Sequence, residues 1–156
     1  MSTGINRNGE STQQKPTILL VGYDLNINLL EGSFSSFYNG YYTVEKIMDV
    51  DMACVRLFDA AAKRGCKTID ALVIDTFIDS KGHTGIDLAN GARESLHQDI
   101  PIFLYTTGSA PKDKYLDPSI MVIEKNGHSF RYLVNSVHAS LLNKQKENRR
   151  PAFVTR

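Results

Sequence analysis

The sequence predicts an α/β domain: a single doubly wound five-stranded parallel sheet flanked by helices. Three observations carry that reading. Short apolar runs recur along the chain, stretches of helical periodicity separate them, and 156 residues at 42% hydrophobic and 22% charged suit one domain with a sizeable core. Strands that alternate with helices imply right-handed crossovers, and therefore parallel pairing with helices over both faces.

The elements follow in order. Ile18 to Val21, closed by Gly22, is an unbroken apolar run of the kind found in a strand buried on both faces. Ile27, Leu30, Phe34 and Phe37 then recur at helical spacing, and Asn39-Gly40 supplies the left-handed residue expected past a helix end. Tyr41 to Ile47, rich in β-branched and aromatic residues, reads as strand two, and Met52, Val55, Phe58 and Ala62 as the apolar face of a second helix. Ala71 to Asp75 is strand three, followed by a polar loop to Gly85 and a helix from Ile86 to about Leu96. Pro101 to Tyr105 and Ile120 to Ile123 are strands four and five. Between them, the proline-bounded segment from Ser109 to Pro118 has room for about one helical turn. Phe130, Leu133, Val134, Val137 and Leu141 mark the last helix. Residues 17–142 form the expected domain, after a disordered segment 1–16 with little to bury and before a basic tail 143–156.

Composition narrows the function. Apolar runs such as Ile18 to Val21 are four residues long, against roughly 20 for a membrane span. The first sixteen residues match neither a secretory signal nor a transit peptide, so the expected compartment is the cytoplasm. Cys54 and Cys66 lack metal or redox spacing and read as packed thiols, and the four histidines are not spaced as ligands. The net charge of +1 divides into a basic tail, with Lys144, Lys146, Arg149, Arg150 and Arg156 against Glu147, and a mildly acidic domain. Dedicated nucleic-acid binding is not expected of such a domain.

In a doubly wound sheet the site lies beyond the carboxyl ends of the strands. Those ends carry Gly22-Tyr23-Asp24, Asp75-Thr76-Phe77, Thr106-Thr107-Gly108 and Glu124-Lys125-Asn126. A carboxylate to accept a phosphoryl group, a hydroxyl to hydrogen-bond it and an amine to pair with its charge suit acyl phosphate chemistry. With TILLVGYD, DALVIDTFIDSKGHTGIDLA, IPIFLYTTG and IMVIEKNG at strands one, three, four and five, the chain from Thr17 to Leu142 resembles the receiver (CheY-like) domain of two-component response regulators. The resemblance implies a flavodoxin-like fold with strand order 2-1-3-4-5. It also implies Asp75 as phosphoacceptor, Thr106 as switch hydroxyl, Lys125 as the phosphate-pairing lysine and Gly85 as the glycine opening the third helix.

The departures shape the expected function. Receivers end strand one with two acids that hold Mg²⁺, and here the matching pair is degenerate, Gly22 and Tyr23. Candidate metal ligands are then Asp24, Asp75 and the backbone carbonyl of Phe77, so no cofactor is required and any Mg²⁺ binding is expected to be weak. Asp24 reads equally as a helix N-cap, Asp75 as half of a structural ion pair with Lys125, and Tyr23 as a plug in the metal pocket. Val122 stands where receivers carry an aromatic switch on strand five.

The leading expectation is a non-enzymatic, pseudo-receiver-like signalling module acting through protein–protein interaction, with weak or absent Mg²⁺-dependent phosphorylation at Asp75. Its partners would be a histidine kinase, a phosphotransfer protein or a downstream effector. A second copy is a further candidate, through the face formed by the fourth helix, strand five and last helix, which is expected to include Lys112, Lys114, Tyr115, Arg131 and Asn135. The alternative is a conventional phosphorelay receiver phosphorylated at Asp75. More remote is a flavodoxin-like enzyme or nucleotide binder, against which stands the lack of GxGxxG or GxxxxGK after strand one.

Overall fold

The computed structural model describes residues 14–22, 25–62, 68–76, 84–96, 100–107, 115–126 and 129–149. Its elements run β1 (Thr17–Val21), α1 (Leu25–Tyr38), β2 (Thr43–Ile47), α2 (Val50–Ala61), β3 (Ala71–Asp75), α3 (Gly85–Leu96), β4 (Ile102–Thr106), β5 (Met121–Glu124) and α4 (Ser129–Asn148). The five strands form one sheet in the order β2-β1-β3-β4-β5, every neighbouring pair parallel. Sheet and order are those expected.

The strand sequences explain the layering. β1, β3 and β4 are buried along their whole length, as unbroken apolar runs require, whereas the edge strands β2 and β5 are partly open. Alternate side chains point to opposite faces. Leu19, Val21, Leu72, Ile74, Ile102 and Leu104 pack under α2 and α3, while Ile18, Leu20, Val73, Phe103 and Tyr105 pack under α1 and α4. The helix boundaries are chemical. Asn39 and Gly40 adopt φ of 32° and 72° past the end of α1, Asp49 caps α2 by accepting from the Met52 amide, and Thr84 and Asp87 bond reciprocally at the start of α3.

Four expectations need correction. On α2 the buried residues are Val50, Ala53 and Leu57, whereas Met52, Val55 and Phe58 face solvent. Both sets have helical spacing, so periodicity alone picks the wrong face. Phe37 is half exposed, with the Arg131 guanidinium over its ring, and Cys54 is an exposed thiol rather than a packed one; Cys66 lies outside the described residues. Arg131 and Asn135 face α1, Asn135 accepting from the Tyr38 hydroxyl, and not the β5 side. Lys112 and Lys114 of that expected face, and most of the segment from Ser109 to Pro118, lie outside the described residues, among which the helices number four. The basic tail begins as helix, since α4 continues to Asn148. No helix among the described residues is long and apolar enough to cross a membrane.

Where α1 ends against α4, Tyr38 stacks on His138 with ring centroids 4.0 Å apart, and the Tyr42 hydroxyl is hydrogen-bonded to His138 Nδ1. Burial pushes the Tyr42 hydroxyl far above its ordinary value, with Tyr41 and Tyr38 adding to it, and burial pulls His138 below the usual imidazole value. His138 is therefore neutral in the folded state at pH values where, at about 6.5, the unfolded chain already takes up a proton. Stability should fall as pH drops from about 6.5 towards the lowered folded value, and then stop falling on this account. Urea midpoints of the parent and His138→Gln between neutral and mildly acidic pH check this, the variant losing less stability over that window.

Candidate functional site

The register places the strand ends side by side. Val21 lies opposite Ile74, which sets Gly22 beside Asp75; Asp75 lies opposite Tyr105, and Thr106 opposite Glu124. Asp75 is 3% exposed and Thr106 is 4% exposed, two of the few buried polar side chains among the described residues. Lys125, just past β5, donates from Nζ to Asp75 Oδ1 at 2.5 Å and from its amide to the Thr106 carbonyl at 2.6 Å. Its ammonium also lies 5.1 Å from the centre of the Tyr105 ring. Asp75, Thr106 and Lys125 thus converge at one edge, as their positions at strand ends imply.

Two glycines let the backbone close around Asp75. A Cβ on Gly22 would stand 2.8 Å from Asp75 Cβ and 2.5 Å from Ile27 Cγ1; one on Gly85 would stand 2.5 Å from the Asp75 carbonyl oxygen. Neither position accepts a side chain without a shift of its surroundings. Gly85 does open α3, as expected, and its reason is this close approach. At Gly22 the sequence reading sees the lack of a ligand atom. A glycine at the end of a buried strand is itself a sign that another backbone or side chain comes close.

The same contact bears on how the described residues could meet Mg²⁺. Mg²⁺ needs several hard oxygen ligands in near-octahedral array. Here the described residues bring one carboxylate, already held by an ammonium, and the position where a second acid would project is filled by Ile27 and Asp75. These residues do not fit the ion. Tyr23, Asp24 and Phe77 lie outside the described residues. Val122, on the β5 edge, is exposed.

No family model and no curated protein sequence matches the chain. Solved structures do. A response regulator receiver protein from Sinorhizobium medicae shares 23% identity over 83% of this chain and 96% of its own, with a TM-score of 0.63. A response regulator from Thermotoga maritima, in complex with Mg²⁺ and BeF, shares 20% identity over 80% of this chain and 98% of its own, with a TM-score of 0.63. A complex of that regulator with a histidine kinase matches at 19% identity over 78% of this chain and 97% of that one, with a TM-score of 0.56. The chain has the receiver fold.

The geometry yields two predictions. Lys125→Met should destabilise by about 3 kcal/mol, because it strands a buried carboxylate, whereas Asp75→Asn, which removes that charge, should be much milder. Urea unfolding of both variants measures this, and equal small losses would count against a buried pair. Gly22→Ala should lose roughly 1–3 kcal/mol through the clash of a single Cβ with Ile27 and Asp75, and Gly22→Asp at least as much. A Gly22→Ala midpoint equal to that of the parent would contradict the close packing.

Proposed function

We propose that this chain is a receiver-like signalling module that works by binding other proteins and is phosphorylated at Asp75 weakly or not at all. One observation carries the reading: Gly22 and Ile27 occupy the place from which an acid would help hold Mg²⁺, and Lys125 supplies the counter-charge of Asp75 instead. A phosphoryl group transferred to Asp75 would arrive with its charge balanced by Lys125 alone among the described residues.

The partners on this reading are a histidine kinase, a phosphotransfer protein or a downstream effector, and the kinase complex formed by the Thermotoga regulator supports that class. Exposed Met121 and Val122 on the edge strand β5, with exposed Tyr115 nearby in sequence, offer an apolar surface for such a partner or for a second copy of the chain. Val122 replaces the aromatic that would follow a moving hydroxyl, so Thr106 has no switch to drive at that position and the surface is read in one state.

A second reading, conventional phosphotransfer, draws on the convergence of Asp75, Thr106 and Lys125 at the strand ends. Intact mass after incubation with acetyl phosphate and Mg²⁺ separates the two. The proposed function predicts at most a trace phosphoryl adduct on the parent. A stoichiometric adduct that Asp75→Asn removes would establish the conventional reading in its place.

A further inference from the structure

At the amino edge of the sheet, opposite the Asp75 site, the rings of Tyr38, Tyr41, Tyr42 and His138 meet where α1 ends, β2 begins and α4 passes. Tyr42 is 8% exposed. Its ring stands edge-on to those of Tyr41, Tyr38 and Phe34, with centroids 4.8, 5.8 and 6.1 Å away. Tyr41 is 41% exposed, so a single ring contact separates solvent from a buried phenol.

The hydroxyls of this cluster are not equivalent. Tyr38 donates to the Asn135 amide oxygen at 2.9 Å, and an amide accepts a hydrogen bond without being a base. Tyr42 instead meets His138 Nδ1, its hydrogen-bond partner among the described residues. Were Nδ1 the donor, the buried phenolic O–H would lack an acceptor there. The pairing that satisfies both groups has the hydroxyl donating to an imidazole protonated on Nε2. Burial favours the neutral, basic form of that imidazole and the protonated form of the phenol. A phenol that loses an electron becomes a cation and a strong acid, and a buried cation is costly unless its proton leaves. At Tyr42 the base that would take the proton is already in contact.

We propose that Tyr42 and His138 form a proton-coupled redox site that takes up one-electron oxidation reaching the surface of the chain, with Tyr41 as the relay. The oxidant is a one-electron acceptor, such as a peroxide-derived oxyl radical. It removes an electron from Tyr41, whose phenolic proton passes to water. Tyr42 then gives its electron to Tyr41, which recovers a proton from water. In that step the Tyr42 O–H bond breaks and a bond from the proton to His138 Nδ1 forms. The product is a neutral tyrosyl radical at Tyr42 beside an imidazolium, held away from solvent and from the Asp75 site at the other edge of the sheet.

The test oxidises the full chain with photogenerated tris(bipyridyl)ruthenium(III) and follows radicals by freeze-quench electron paramagnetic resonance. Ring-deuterated tyrosine identifies the signal as tyrosyl. The parent should give a lasting signal, because a buried radical does not meet a second one, whereas radicals on exposed Tyr115 and Tyr132 couple and vanish. Tyr42→Phe, which keeps the ring and its edge contacts, should remove the lasting signal. Tyr38→Phe should leave it, and Tyr41→Phe should slow its formation without shortening its life. His138→Gln keeps a hydrogen-bond acceptor but no base, and it should slow formation about a hundredfold, the low end of what a positioned base contributes. Circular dichroism confirms that each variant is folded, and should Tyr42→Phe unfold, His138→Gln carries the test. A parent without a lasting tyrosyl signal, a signal that survives in folded Tyr42→Phe, or formation in His138→Gln as fast as in the parent would each overturn the proposal.

Discussion

The contact between the backbone of Gly22 and the side chain of Asp75 governs the carboxyl edge of this sheet. Parallel pairing of β1 with β3 puts Val21 opposite Ile74, so the residue after Val21 has to stand beside Asp75, whatever it is. With glycine there, Ile27 of α1 moves in until its Cγ1 would touch any added Cβ, and the space closes. On the other side Gly85 brings the start of α3 against the Asp75 carbonyl. Asp75 is thereby walled in by covalent geometry and packing, which relax far less readily than a mobile polar side chain.

A walled-in carboxylate needs a counter-charge, and Lys125 provides it. The lysine belongs to the far edge of the sheet, beyond β5, so the ion pair reaches across β4 and ties the edge strand to the centre. Its backbone takes part too, through the amide donated to Thr106. One residue therefore holds the charge of β3, the end of β4 and the exit of β5 together. On the proposed reading, that arrangement goes with a fixed surface rather than one that responds to a group added at Asp75.

The fold is legible in the sequence because the informative strands are the fully buried ones. Ile18 to Val21, Ala71 to Ile74 and Ile102 to Tyr105 are apolar on both faces, which only a central parallel strand requires, and Asn39-Gly40 adopts the left-handed backbone that its composition favours. The meeting of Asp75, Thr106 and Lys125 follows from the same logic, since each ends or follows a strand. α2 is where periodicity fails. Val50, Ala53 and Leu57 compete with Met52, Val55 and Phe58 at the same spacing, and the bulkier set is the exposed one, Ala53 and Leu57 joining the core cluster with residues of α3. The closeness of Gly22 to Asp75 is legible only in part: a glycine closing a buried strand signals a close approach, but which neighbour approaches depends on strand register and on the angle at which α1 enters, both tertiary quantities.

The account stands on a site closed to a second acid and satisfied by Lys125, and an NMR titration of the labelled parent with Mg²⁺ tests it most directly. Observed at the Lys125 side-chain nitrogen and the Gly22 amide, the account predicts no saturable shift through the millimolar range. A saturable movement of both resonances, lost in Asp75→Asn, would show that the carboxylate exchanges its ammonium for the ion and would contradict it.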